Sequence, residues 1–191
     1  MKKGLTELVL LLDKSGSMEP ATADVIGGFK KFIEDQKALP GEATMTLVQF
    51  SDTIVTTYEN KNINDVGALV YSTVGRTALL EAACTTIDKI GERLGKTTDD
   101  QRPEKIIFAI MTDGEENASG REFTSALLKE KIKHQTEVYN WSFLFMGANI
   151  DAFKTGDSLG VAASTTRCYQ TSGQLGRAGM ADYSSMVCAI R

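Results

Sequence analysis

Three oxygen-bearing side chains fall at alternate positions in Asp13-Lys14-Ser15-Gly16-Ser17. In a loop, such spacing lets Asp13, Ser15 and Ser17 converge on one point, and Gly16 permits the tight turn this requires. Two further oxygen donors stand in comparable settings. Thr77 follows Gly75-Arg76 where a helical pattern begins, and Asp113 closes an apolar run. The set Asp13, Ser15, Ser17, Thr77 and Asp113 offers oxygen only. Hard oxygen donors suit Mg²⁺, with Mn²⁺ or Ca²⁺ as alternatives, rather than zinc. Two carboxylates balance a divalent charge. If they act through water, the directly bound ligands are nearly neutral, and the ion stays electrophilic towards a carboxylate from outside.

Each residue also has a plainer reading. Asp13 alone reads as a cap or turn residue; beside Ser15, Ser17 and Asp113 the metal reading is preferred. Thr77 alone reads as a helix N-cap. Glu115 and Glu116 read as a solvated rim, and Lys14 and Arg76 as solvent-facing side chains between the donors. His134 lies in a polar helix end and reads as surface, Trp141 as core. Met18, beside the site, is a candidate apolar contact.

The elements that position these residues follow from hydropathy. Glu7–Asp13 is a solid apolar run ending in a carboxylate, and Lys105–Met111 repeats it before Thr112-Asp113-Gly114. A run without alternation suits a strand covered on both faces. Val138–Met146 is a third such run. Val25, Ile26, Phe29, Phe32 and Ile33 mark one face of a helix, with Pro20 in its first turn and Leu39-Pro40-Gly41 at its end. Thr44–Phe50 and Thr53–Tyr58 read as a hairpin. Asn60–Gly75 reads as polar and irregular. Leu79 to Leu94 and Phe123–Ile132 read as helices. A short helix at Ala152–Leu159, a weak strand at Thr165–Tyr169 and a helix beyond Gly176 complete the chain. Apolar strands alternating with helices imply an α/β fold with a doubly wound, Rossmann-like, mostly parallel sheet and helices on both faces. Ligands of such sheets bind beyond the carboxyl ends of the strands, where Asp13 and Asp113 fall.

The ordered set Asp13-Lys14-Ser15-Gly16-Ser17, Thr77 and Asp113 resembles the DxSxS…T…D metal-ion-dependent adhesion site of von Willebrand factor A (vWA) domains. The stretches Met111 to Asn117 and Phe145-Met146-Gly147-Ala148-Asn149 resemble small stand-alone bacterial or phage members. The likeness spans about 5–159. It implies a sheet of about six strands, one antiparallel. It also implies that the serines and threonine coordinate Mg²⁺, that the aspartates bind largely through water, and that an Asp or Glu of a partner protein completes the shell. The function expected is therefore a non-enzymatic, metal-dependent protein-binding module.

Two other readings compete. One is a phosphotransfer enzyme with Asp13 as nucleophile, but Ser15 stands where such enzymes carry a second carboxylate for acid–base work. The other is a scaffold whose metal is purely structural. No GxSxG elbow, P-loop or GxGxxG is present, and the EF-hand pattern fails at Met18 and Asp24.

Composition narrows the class. The 191 residues include 21 Lys plus Arg and 25 Asp plus Glu, a net charge of -4, which lacks the basic excess of a nucleic-acid-wrapping protein. The length suits a single domain over 1–191, less firmly delimited after about 160. The apolar run after Lys2-Lys3 is short, bracketed by Glu7 and Asp13, and reads as a strand rather than a leader. No run reaches the ~20 apolar residues of a membrane span. Cys84, Cys168 and Cys188 are an odd set without a CxxC pair, which fits reduced thiols in the cytoplasm. The sequon Asn117-Ala118-Ser119 is then not used.

Overall fold

The computed structural model describes residues 1–148, 151–169 and 174–191. Six strands form one sheet: β1 (Lys2–Asp13), β2 (Glu42–Phe50), β3 (Ile54–Asn62), β4 (Pro103–Thr112), β5 (Ser142–Ala148) and β6 (Thr166–Tyr169). Five helices accompany them: α1 (Thr22–Ala38), α2 (Leu79–Lys96), α3 (Ser125–Tyr139), α4 (Ala152–Leu159) and α5 (Gln174–Ile190). The strand order is β3-β2-β1-β4-β5-β6. Every pairing is parallel except β2 with β3.

The opening apolar run becomes the centre of the sheet because both its faces are covered. Leu8, Leu10 and Leu12 enter a core shared with Val25, Phe29 and Phe32 of α1 and with Tyr183 and Val187 of α5. Val9 and Leu11 point the other way, into a core with α2, α3 and α4. Side chains of a strand alternate between faces, so a two-sided core requires apolar residues at consecutive positions. Glu7 opens the run with a charged side chain. It is fully buried, receives the Thr46 hydroxyl at 2.8 Å and pairs with Arg93 of α2 at 2.5 Å.

Several boundaries differ from the sequence reading. Pro20 lies in a 3₁₀ turn, Gly16–Ala21, ahead of α1. Ile26 is exposed rather than on the packed face of α1. Val138 and Tyr139 belong to the end of α3, not to a strand; both are exposed there. Asn140, left-handed at φ 56°, stops that helix, and β5 starts at Ser142. Trp141 is buried as expected, although it precedes the strand. No described helix is long and apolar enough to cross a membrane.

Candidate metal centre

β1 and β4 run side by side and in parallel, with Leu12 opposite Met111. Their carboxyl ends therefore deliver Asp13 and Thr112 to the same edge, and Asp113 follows at once. Chain order reverses direction across the sheet between these strands, and the crevice opened there is the usual ligand position of such folds.

The loop after β1 is folded by Asp13 itself. One carboxylate oxygen, Oδ1, accepts the Ser15 N–H at 2.7 Å; the other, Oδ2, accepts the Thr112 hydroxyl at 2.5 Å. Tyr71 donates its hydroxyl to the Asp13 carbonyl at 2.5 Å. The Ser15 and Ser17 hydroxyls lie 3.1 Å apart, and Ser17 donates to Asp113 Oδ1 at 2.7 Å. Four of the five candidates thus form one hydrogen-bonded chain.

Thr77 arrives from the loop before α2. Asn117 holds it from both sides: its amide oxygen accepts the Thr77 N–H at 2.9 Å, and its N–H reaches the Thr77 carbonyl at 3.0 Å. The hydroxyl ends up close to Gly114. A Cβ built on Gly114 would lie 3.1 Å from Thr77 Oγ1 and 3.4 Å from Ser17 Oγ. The missing side chain leaves a small cradle faced by both hydroxyls. Gly75 makes the loop's approach feasible. Its φ is +82°, its carbonyl accepts the Gly16 N–H at 3.0 Å, and a Cβ there would collide with the Asp52 carboxylate.

Asp13, Ser15, Thr77 and Asp113 are buried, and Ser17 is exposed. Burial pushes the Asp13 carboxyl up from its ordinary range, against the Thr112 and Ser15 hydrogen bonds; the nearby Asp113 charge adds to the rise. Burial likewise raises Asp113, opposed by Ser17. Among the described residues no ion pair neutralises either carboxylate. Two buried, uncompensated carboxylates with three hydroxyls and an open cradle fit a small divalent cation. Among the described residues no group of three or more His, Cys, Asp or Glu could hold a metal, so a cation here depends on the hydroxyls.

The structure therefore brings together all five candidates. Lys14 is half-buried, and Arg76, Glu115 and His134 are exposed. Met18 is core rather than a surface contact. Glu116 is no solvated rim. Its carboxylate accepts the Leu80 N–H at the start of α2 at 2.8 Å, the Ala118 and Ser119 N–H groups at 2.8 Å, and the Ser119 hydroxyl at 2.7 Å. Asn149 lies outside the described residues. The supporting residues Tyr71, Thr112 and Asn117 escape a sequence reading, because their partners lie tens of residues away; the one signal is that Thr112 and Asn117 flank Asp113.

No protein-family model matches the chain, and no curated protein matches it in sequence. Solved structures do match in shape. Proximal thread matrix protein 1 of the mussel byssus, in a structure with a zinc-occupied MIDAS motif, is 15% identical with a TM-score of 0.66; the match covers 97% of this chain and 46% of that one. The ArnB paralog VWA2 from Sulfolobus acidocaldarius is 17% identical with a TM-score of 0.56, over 89% of this chain and 41% of that one. A von Willebrand factor type A protein from Catenulispora acidiphila is 15% identical with a TM-score of 0.58, over 95% and 41%. This chain thus spans less than half the length of each. Across these distant sequences the shared feature is the architecture, and the chain has the von Willebrand factor A fold.

Proposed function

We propose that the chain is a single-domain, non-enzymatic binding module that grips an acidic residue of a partner protein through a divalent cation. The observation that carries this reading is the convergence of buried Asp13 and Asp113 with the Ser15, Ser17 and Thr77 hydroxyls, without a balancing basic group. Ser15, Ser17 and Thr77 would hold the ion, with Asp13 and Asp113 supplying the balancing charge. The oxygen-only donor set favours Mg²⁺, with Mn²⁺ or Ca²⁺ as substitutes; the zinc in the mussel protein's motif supports divalent binding by this fold. When bound, the cation supplies a Lewis-acidic point for an incoming carboxylate.

The chain's own residues do the rest. Asp13 fixes the loop through Ser15 and Thr112. Asn117 fixes Thr77. Gly114 leaves the space. With both oxygens of Asp13 engaged and its side chain buried, it is poorly placed as a nucleophile, which counts against phosphotransfer. The odd set of three cysteines without a CxxC pair favours a reducing, cytoplasmic setting.

The test is a pull-down with the immobilised chain in Mg²⁺ and in EDTA, repeated with Ser15→Ala. A partner retained only in Mg²⁺, and only by the wild type, is expected. Equal retention in chelator removes the metal from the interaction. A thermal shift from Mg²⁺ with no metal-dependent partner favours a structural role.

A further inference from the structure

At the opposite end of β4, a cavity of about 370 Å³ opens between α2, α3 and the first residues of the strand. Small-molecule sites span roughly 300–1,000 Å³ and are lined mostly by apolar and aromatic groups. Leu94, Ile106 and Trp141 line this one, and Gly91 and Gly95 of α2 complete the wall. The two glycines stand four apart, hence on one helix face. Gly91 costs the helix interior about 1 kcal/mol relative to alanine, whereas Gly95 stands in the last turn of α2. Packing does not demand them. A Cβ on Gly95 would meet no atom within 4 Å, and one on Gly91 only the Gln135 side-chain nitrogen at 3.9 Å. Neither has a positive φ. Their effect is to keep the cavity open.

Trp141 provides an independent observation. It is 4% exposed and stacks on Phe143 with centroids 6.1 Å apart. Its indole N–H, which can only donate, has no acceptor among the described residues. It is not among the sealed, unpartnered atoms either, which are Glu7 Oε2, Thr44 Oγ1 and Tyr183 OH. The donor of this otherwise enclosed ring therefore keeps some accessible surface, on a residue that lines the cavity. Charge sets the ligand class. The Arg102 guanidinium is already committed to the Leu94 and Thr97 carbonyls and to Asp99. Glu104 adds a carboxylate to the wall, and His134, Gln135 and Tyr139 add polar groups, so no single charge dominates the lining.

We infer that this cavity binds a small, flat, uncharged molecule whose carbonyl-type oxygen accepts the Trp141 N–H, an aromatic amide being the simplest case. The chain has one tryptophan, so its indole N–H gives a single, unambiguous signal in a ¹H–¹⁵N spectrum of the full chain. Titration with benzamide is expected to move that signal downfield and to saturate. Toluene, without an acceptor, is expected to leave the downfield movement absent, and benzoate to bind more weakly than benzamide. Gly95→Leu, which fills the cavity, is expected to weaken benzamide binding about tenfold or more without lowering the melting temperature. If Gly95→Leu melts lower than the wild type, Gly91→Ala with Gly95→Ala decides, with a raised melting temperature and weakened binding expected. A shift that never saturates, equal affinity in the filled variants, or benzoate binding as tightly as benzamide overturns the inference.

Discussion

Burial of Asp13 and Asp113 disfavours the charged form of each carboxyl and pushes both up from their ordinary range. Removing one charge while keeping the shape should therefore separate stability from function. Asp13→Asn is expected to melt no lower than the wild type in EDTA and to lose the stabilisation that Mg²⁺ gives the wild type; differential scanning calorimetry with and without the ion reads both. A variant that still gains from Mg²⁺ would remove Asp13 from the site. Asn117 holds Thr77 by two hydrogen bonds and would act on an ion only through it. Asn117→Ala is expected to cost about 1 kcal/mol of stability and to weaken cation affinity roughly 10–100-fold, as loss of a group orienting a ligand does. Calorimetric titration with Mn²⁺ measures it. The five candidate donors were legible as a set because their type and spacing are local properties of the chain. Asn117 was visible only within a sequon and at the end of the Met111 to Asn117 stretch, since its role depends on meeting Thr77 forty residues earlier.

The loop carrying Glu116 acts as the cap that α2 lacks. The residue before α2, Ala78, makes no side-chain cap, and Glu116 and Ser119 satisfy the Leu80 and Glu81 N–H groups instead. Burial of Glu116 pushes its carboxyl up, but the hydrogen bonds from Leu80, Ser119 and Ala118 prevail and hold it below its ordinary value. A depressed folded value means that the unfolded chain binds the proton more tightly. Its contribution is thus present above the unfolded pKa and lost as pH falls through the folded one. Glu116→Ala is expected to cost about 2 kcal/mol at neutral pH, a difference that shrinks on acidification; urea melts across that range test it. Arg93 plays a comparable part between α2 and the sheet. Arg93→Ala strands Glu7 as a buried charge and is expected to cost about 3 kcal/mol, measured by the same melts. The strand runs were readable because two-sided burial writes them as unbroken apolar sequence. The end of α3 was not. Val138 and Tyr139 extend the next strand's apolar run, yet they stand exposed on the helix, and Asn140 makes the break.

Across the whole molecule, the sheet order places the carboxyl ends of β1 and β4 next to each other. The net charge of -4 matters less than its placement. Asp13 and Asp113 place two carboxyl groups at one edge, where a bound cation would reverse the local field. The alternation of strands and helices made this architecture legible, whereas the cavity beside Trp141 was not, because it is an absence of side chains between three elements. The central question is whether the five donors act as one cation site. Isothermal titration of the wild-type chain with Mn²⁺, beside Ser15→Ala and Asp113→Asn, answers it most directly. A saturable 1:1 isotherm in the wild type, lost in both variants while their far-ultraviolet circular dichroism stays unchanged, is expected. Wild-type affinity retained in both variants, or no saturable binding by the wild type, would contradict the metal site.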